Sequence, residues 1–567
     1  MSKQLIECIP NISEGKDLNI IQKITNEITI SEGVTLIDVD SGKATNRTVI
    51  TFVGDPQSVI QAAFKLIKKS AELIDMTKHS GEHPRMGSTD VCPLVPISGI
   101  TMSETVVYSK RLAEMVGHEL NIPVYLYEEA ATLGYRKNLA DVRSGEYEGL
   151  KSKLTQKEWK PDFGSSNYNE FKNSGATAIG ARDFLIAYNI NLNTTSTRRA
   201  NAIAFDIREK GRILREGGKL NGKILKTKNG DTIWEPGSLK HVKAIGWYIE
   251  EYGITQISMN LTNIKETPIH IVFDEVCKKA NERGIRVTGS ELVGLIPLQS
   301  MIDAGEYFLN KQQRSLGIAE SEIIKIAQKT MGLDEIQPFN PKEKIIEYVI
   351  ANNNNNPLCK MSLSSFLQET ASESPAPGGG SISAYIGSLG AALTTMVANL
   401  SSHKRGWDEQ WEEFSKMAQT GQEHINILEE LVDEDTRAFN DIMNAFRLKS
   451  QTEKEKKIKE IAIQEATVNA INIPLKIMSN SLELMNLIEK LVIHGNPNSV
   501  SDVGVAALCA RSAVLGGYLN VLINAKDLTD INIKDKLIKE AEYIREKTIK
   551  QENKIIDLTL KTIQNSP

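Results

Sequence analysis

Asn352–Pro357 reads NNNNNP, five asparagines closed by a proline, and the chain changes character across it. Asparagine favours turns and proline blocks helix continuation, so the run is a linker. On its N-terminal side strand-like and helix-like patterns alternate. LIECIP (Leu5–Pro10), VTLIDVD (Val34–Asp40), RTVITFVG (Arg47–Gly54), VCPLVPI (Val91–Ile97) and VYLY (Val124–Tyr127) are rich in β-branched residues. Among them Val59, Ala62, Ala63, Leu66 and Ile67 recur at helical spacing, and a further helix is expected over Ser103–Leu120. A second such unit begins at FLIAYNINL (Phe184–Leu192). It continues through a helix near Thr197–Lys210, strands at Val242–Glu251 and Ile254–Leu261, a helix over Pro268–Arg283, and a strand and turn over Ile285–Pro297. The polar, Gly-rich stretch Arg215–Lys240 reads as a surface excursion or hairpin. After Met361 strand-like alternation stops. Long amphipathic stretches cover Trp407–Arg447, Glu453–Leu491, Ser499–Ala525 and Ile533–Gln564, the pattern of a helical bundle. The expected architecture is therefore an α/β region of two subdomains (1–180 and 181–345), a linker (346–361) and an all-α helical-bundle domain (362–567).

Composition narrows the function classes. The 567 residues are too many for one core, which calls for several domains. A net charge of -5 argues against a general nucleic-acid binder, which needs a basic stripe. Cys8, Cys92, Cys277, Cys359 and Cys509 are scattered without a C-x-x-C pair, which points to a reducing compartment. The opening MSKQLIECIPNISEGK has no apolar run suited to a signal peptide, so a cytoplasmic location is expected. Ser374–Ser402 carries no charge but is full of Gly, Ser, Thr and Asn. A membrane span wants about 20 strongly apolar residues. The stretch is expected to be a helix buried in the bundle, not a span.

Two clusters hold the chemistry. The first is KHSGEHPRMG (Lys78–Gly87), dense in ionisable groups between apolar strands. His79-x-x-Glu82-His83 superficially matches a zinc-binding pattern, but that pattern works only on a helix. Ser80 and Gly81 weaken a helix, and Pro84 pushes His83 out of the α region, so no metal is expected. The better reading is a loop with a histidine poised for proton transfer, since its pKa lies near neutrality. Glu82 or Asp90 would orient it, and Arg85 would hold a carboxylate. The bland alternative is a solvated surface loop.

The second cluster lies in LEELVDEDTRAFNDIM (Leu428–Met443). Leu428, Leu431, Val432, Phe439 and Ile442 form an apolar stripe, and Asp435 falls inside it, whereas Asp433, Glu434 and Arg437 fall outside and are expected to be solvated. A carboxylate aimed at a core is costly unless it is paired or functional. The bland alternative is a satisfied hydrogen bond, for example to a helix N-terminus. SPAPGGGSISAY (Ser374–Tyr385) sets Gly378, Gly379, Gly380 and Ser381 before an uncharged helix, where the backbone can approach a ligand. In NSVSDVGVAALCARSAVLGGYLNVLIN (Asn498–Asn524), Ser499 or Ser501 is expected to cap a helix and Asp502 to complement its dipole.

KHSGEHPRMGSTDVCPLVPISG (Lys78–Gly99), with ECIPNISEGK (Glu7–Lys16), DVDSGKATNRTVITFVG (Asp38–Gly54), YLYEEAA (Tyr125–Ala131), EWKPDFG (Glu158–Gly164), GATAIGARDFLIAYNINL (Gly175–Leu192), IGWYIEE (Ile245–Glu251) and GSELVGLIPL (Gly289–Leu298), closely resembles glutamate formimidoyltransferase. The resemblance covers nearly all of residues 1–345. It implies two α/β subdomains with folate held between them, and His83 as the acid/base. It also implies a folate-contacting loop formed here by Gly164, Ser165, Ser166, Asn167, Tyr168, Asn169, Glu170, Phe171, Lys172, Asn173 and Ser174, a segment that reads longer than the usual family loop. The formimidoylglutamate substrate that this resemblance implies has two carboxylates, which need cationic or backbone partners. Arg47, Arg85 and Arg182 are the candidates, each equally able to sit in a structural ion pair.

The A-P-G-G-G-S, D-E-D-T-R-A-F, S-D-V-G-V-A-A and Y-L-N-V-L-I-N segments resemble formimidoyltetrahydrofolate cyclodeaminase over about residues 362–560. That resemblance implies Asp435 as the catalytic residue, with Gly378–Ser381 as a substrate-binding turn. Together the two imply a bifunctional transferase and ammonia lyase of histidine breakdown and one-carbon metabolism. Its co-substrate would be tetrahydrofolate in polyglutamylated form. It would form a homo-oligomer and need no metal. The alternatives are a chain with one catalytic half, the other serving folate binding or assembly, and a non-catalytic folate-binding scaffold.

Overall fold

The structure, a computed structural model, describes residues 4–42, 46–81, 84–218, 222–250, 252–351 and 357–565. These fall into two compact units. One comprises Met1–Ser300 with Met331–Asn352, the other Met301–Thr330 with Asn353–Pro567.

The first unit opens with a seven-stranded sheet: β1 (Leu5–Cys8), β2 (Asn11–Ile12), β3 (Val34–Gly42), β4 (Arg47–Gly54), β5 (Thr89–Ser98), β6 (Val124–Glu128) and β7 (Thr177–Ala181). β1 and β2 lie end to end between β4 and β5, antiparallel to both. β3 continues the sheet beyond β4, while β7 and β6 extend it in parallel beyond β5. Helices α1 (Leu18–Thr29), α2 (Pro56–Leu73) and α3 (Met102–Leu120) cover one face. Their starts follow local chemistry. Asp17 and Asp55 accept first-turn amides, Pro56 pre-sets its φ, and Thr101 with Glu104 forms a capping box. Ile6, Cys8, Ile50, Phe52, Cys92 and Leu94 alternate onto this face and meet Ile24, Ile28, Leu66, Ile67, Leu112 and Val116. On the opposite face Val91, Tyr125, Tyr127 and Ala178 pack with the short helices α4 (Leu139–Val142), α5 (Glu146–Lys153) and α6 (Tyr168–Phe171). The rest of that face, around Glu7, Val49 and Thr51, borders a cleft.

The second sheet of this unit is antiparallel in the order β11 (Val242–Ile249), β12 (Ile254–Leu261), β8 (Ile186–Leu192), β13 (Val287–Val293). It carries α7 (Thr197–Ile207) and α8 (Ile269–Asn281), whose buried residues include Ala200, Ile203, Val272 and Val276. The expected excursion is a small hairpin built on β9 (Arg212–Ile213) and β10 (Trp234–Glu235). Helices α9 (Leu298–Lys311), α10 (Glu320–Met331), α11 (Pro341–Lys344) and α12 (Ile346–Ala351) follow. The division between units falls inside α9. The Met301–Thr330 segment packs on the helices that come later: Leu316 N–H donates to Ser415 Oγ at 3.0 Å, and Asn399 Nδ2 donates to the Gly317 carbonyl at 2.7 Å.

The helical unit contains α13 (Leu363–Thr370), α14 (Gly379–Ser402), α15 (Trp411–Phe446), α16 (Glu453–His494), α17 (Val500–Asn524) and α18 (Ile531–Asn565). By length and composition alone, Gly379–Ser402 and Pro497–Asp527 could each cross a membrane. In the fold α14 is the bundle's inner helix, packed on α15, α16 and α17 through small residues such as Ala384, Ala391 and Ala398. A second apolar cluster joins α16, α17 and α18 through Ile471, Met478, Val514, Val521 and Ile544.

Two local expectations fail. Ser499 occupies the N-cap position of α17 without a side-chain capping bond; Asp502 does stand in the first turn. Asp433, expected to be solvated, is buried. The segment just after Pro357 folds over it, and the Asp433 carboxylate accepts from the amides of Leu358 at 3.1 Å and Cys359 at 3.3 Å. Asp433→Ala would leave one buried and one part-buried amide unpaired and is expected to destabilise the helical unit by about 1–3 kcal/mol, measured by urea unfolding of the full chain.

Candidate active sites

Around Lys78–Gly87 the fold gathers residues distant in sequence. Glu82 and His83, the latter the expected acid/base, lie outside the described residues, as does any contact between His83 and Asp90. Their flanks are well defined. Met76 N–H donates to the Asn173 carbonyl at 2.8 Å and Ser88 N–H to the Ser174 carbonyl at 2.6 Å, so the loop Gly164–Ser174 is stitched to both sides of the histidine segment. Gly164 opens that loop at φ 86°, and a Cβ there would lie 2.0 Å from the Ile122 carbonyl oxygen. Asn167 caps α6, and a cavity of about 310 Å³ is lined by Lys68, Glu72, Leu120, Ile122 and Asn169–Ser174.

His79 has both ring nitrogens engaged. Nε2 lies 3.0 Å from the Asn46 carbonyl, and Nδ1 accepts from Arg85 Nε at 3.2 Å. Arg85 is buried, and its guanidinium also binds Glu146 and Glu148, at 2.7 Å for the Glu148 Oε1 contact. A cavity of about 530 Å³ runs past His79, Ser80, Gly81 and these three side chains. Asp90 is fully buried. It accepts from Met86 N–H at 3.0 Å and receives both Arg47 and Arg143 at 2.7 Å, while Arg47 also reaches Asn11 Oδ1.

Of the three arginines expected at donor carboxylates, Arg47 and Arg85 thus stand in ion pairs. Arg182 instead lines a cleft of about 730 Å³ with Glu7, Asp38, Thr51, Phe184, Lys342 and Lys344. Glu7 is a residue the sequence reading did not single out. It sits in β1 among apolar neighbours, and nothing in its local pattern marks it. It is 3 % exposed, and its Oε2 has no hydrogen-bond partner. Burial pushes its pKa up to about 7 against the pull of Arg182.

In the helical unit Asp435 Oδ2 accepts from Ser381 N–H at 2.8 Å and Ser381 Oγ at 3.1 Å. The carboxylate therefore closes the first turn of α14, where amides have no helical partner. Gly380 permits this contact, since a Cβ there would stand 2.1 Å from Asp435 Oδ1. Gly378 takes the N-cap position, and Gly379 faces Asn520 of α17. Burial raises the Asp435 pKa, opposed by the Ser381 hydrogen bonds. The functional and bland readings of Asp435 thus meet in one place: a helix-terminus acceptor that is also a partly desolvated carboxylate beside an open turn. Asp502 is elsewhere. It precedes Asn520 by 18 positions on α17, roughly 27 Å along the helix.

Comparison with known proteins follows the same division. Residues 5–182 match the model of the formiminotransferase domain, N-terminal subdomain, residues 187–351 that of the formiminotransferase domain, and residues 362–543 that of formiminotransferase-cyclodeaminase. The formimidoyltransferase-cyclodeaminase of Rattus norvegicus is 41% identical over 94% of both chains, and that of Dictyostelium discoideum 39% identical over 98% of both. The glutamate formimidoyltransferase of Streptococcus pyogenes serotype M1 is 42% identical over 54% of this chain and 93% of its own.

His79 gives a pH prediction. Burial, and secondarily the Arg85 charge, hold its pKa below the usual 6.5, against the Asn46 bond. The unfolded chain therefore takes up this proton first. The contribution is complete above about 6.5 and is lost as pH falls through the lower folded value. Denaturant unfolding between pH 7.5 and 5.5 is expected to show wild type losing more stability than His79→Gln.

Proposed function

The chain belongs to the formimidoyltransferase-cyclodeaminase family, and from that premise we propose how its two reactions are divided between residues. It is a bifunctional enzyme. It transfers the formimidoyl group from N-formimidoyl-L-glutamate to tetrahydrofolate, then cyclises 5-formimidoyltetrahydrofolate to 5,10-methenyltetrahydrofolate with release of ammonia.

In the transfer step N5 of tetrahydrofolate attacks the formimidoyl carbon and must shed a proton, while the departing glutamate nitrogen must gain one. His83 is the residue we assign to both transfers, a role usually contributing about a hundredfold or more. Gly164–Ser174 is the folate-contacting loop in this reading, supported by its hydrogen bonds to both flanks of the histidine segment. In the cyclisation N10 attacks the same carbon and ammonia leaves a tetrahedral centre. Asp435 takes the N10 proton, and Gly378–Ser381 provides the turn against which the folate lies. The observation that carries this half is the Asp435 carboxylate, partly desolvated and held against Gly380 and Ser381. Neither step changes an oxidation state, so no redox cofactor is needed, and proton transfer alone suffices without a metal.

The catalytic regions we assign are 1–180 and 181–345 for transfer and 362–567 for cyclisation, joined by 346–361. A homo-oligomer is supported by half-exposed apolar residues on α14 and α17, among them Leu389, Leu400, Val505, Leu508, Leu519 and Ile523. A polyglutamylated folate would let one tail stay bound across both steps. The dispersed thiols and acidic balance support a cytoplasmic enzyme without a membrane span.

The test supplies formimidoylglutamate and tetrahydrofolate and follows glutamate and ammonia separately. Wild type is expected to release both, and His83→Ala neither. Asp435→Ala is expected to release glutamate without stoichiometric ammonia. Glutamate alone from wild type would make the helical unit a binding or assembly module. Release of neither, with folate still bound, would make the chain a scaffold.

A further inference from the structure

Most buried charges of the α/β unit are met within the protein, although Arg136 Nε and Arg143 Nε lack a hydrogen-bond partner. Asp90 holds two guanidinium groups, Asp162 holds Arg136 at 2.8 Å, and Lys153 donates to the carbonyls of Asp141, Val142 and Ser144. Glu7 stands apart among the carboxylates. Among the described residues it is the one buried carboxylate with an oxygen that lacks a hydrogen-bond partner. A buried polar atom left unpaired costs free energy, so such an atom at the wall of a cleft marks a place for a donor that arrives from outside.

The donor's chemistry can be read from the surroundings. Glu7 lies in β1 between Val53 of β4 and Val95 of β5, on the face opposite Ile6 and Cys8. Around it the cleft carries Arg182 just beyond β7, Asp38 on β3, and Lys342, Glu343 and Lys344 on α11. A cleft with a buried, unpaired carboxyl, two further acids and three cations suits a ligand with one cationic fork and more than one carboxylate.

Formimidoylglutamate has this constitution. Its formimidoyl group is an amidinium, a planar pair of N–H donors that a carboxylate accepts as it accepts a guanidinium. Resting on the transferase reading above, we propose that Glu7 receives the amidinium of formimidoylglutamate in this cleft, with Arg182 placed for one of the donor's carboxylates. Glu7 is thereby a substrate-binding residue that fixes the end of the donor bearing the transferred carbon. The proton linkage has a definite sign. With its pKa raised to about 7, empty Glu7 is partly protonated at neutrality, and the amidinium binds only the carboxylate. Donor affinity falls as pH drops below about 7. The charged groups that line the cleft with Glu7 are Arg182, Asp38, Lys342, Glu343 and Lys344, with Cys8 beside it on β1.

The test is Glu7→Gln in the full chain. The expected result is a KM for formimidoylglutamate raised tenfold or more and a KM for tetrahydrofolate within twofold of wild type. Ammonia release from supplied 5-formimidoyltetrahydrofolate should be unchanged. A wild-type donor KM in a variant that retains that ammonia release overturns the assignment of Glu7. If wild type itself releases no glutamate, the transferase reading fails instead, so the two failures are separable. Should Glu7→Gln not fold, wild type alone decides. N-formyl-L-glutamate keeps both carboxylates and replaces the amidinium with a neutral amide, so the arginine and lysines contribute equally to both ligands. Wild type is expected to prefer formimidoylglutamate at least tenfold at pH 8 and to lose most of that preference at pH 6. A preference that does not change with pH overturns the proposal.

Discussion

A carboxylate withdrawn from water must be met by donors, and in this protein that requirement fixes how segments remote in sequence come together. Asp90 draws Arg47 from β4 and Arg143 from the loop after α4 onto one oxygen, while its other oxygen accepts the Met86 amide beside the histidine segment. Asp433 accepts the Leu358 and Cys359 amides just after Pro357 and so anchors the chain where it enters the bundle. Asp435 meets the uncapped start of α14. Each carboxylate costs several kcal/mol to bury alone. Each is tolerated because its partner is also in need: a guanidinium fork, a loop amide, a helix N-terminus. Glu7 is the instructive departure, since only part of its requirement is met from within.

The same logic separates structural from functional charge. Arg47 and Arg85 are committed to Asp90, Asn11, Glu146 and Glu148, so their placement serves the shape of the wall around the histidine segment. Arg182 lies in the open cleft with two lysines, where a ligand's carboxylates can reach. In the helical unit Asp435 is both a helix-terminus acceptor and a partly desolvated carboxylate. Its bond to Ser381 fixes the carboxylate, while burial raises its proton affinity. Gly380 is the quiet partner, because any side chain there would displace the carboxylate.

Most elements were legible in the sequence because their apolar periods are clean. Arg47–Gly54 and Ile254–Leu261 form strands with the expected bounds, and the four long C-terminal amphipathic stretches are helices that begin and end within four residues of expectation. Asp435 was visible as an acid inside an apolar stripe. What escaped was decided by neighbours far along the chain. Asp433 looked solvated because helical spacing alone places it off the stripe, and only the returning segment covers it. Thr177–Ala181 is a short strand whose small residues give little signal, and it exists because β5 and β6 flank it. Met301–Thr330 reads as a continuation of the α/β region, yet its contacts lie with the helices.

By itself the sequence determined the change from α/β to all-α at Asn352–Pro357 and the family, and it singled out His83 and Asp435 as candidates, because periodicity and local motifs are properties of neighbouring residues. The tertiary structure decided which charges are satisfied. It turned Arg47 and Arg85 into ion pairs, placed Arg182 on a cleft, and left the Glu7 carboxylate incompletely paired. That distinction depends on which groups the fold brings within hydrogen-bonding distance and on how much water it leaves them, and neither quantity is written in any single stretch of the chain.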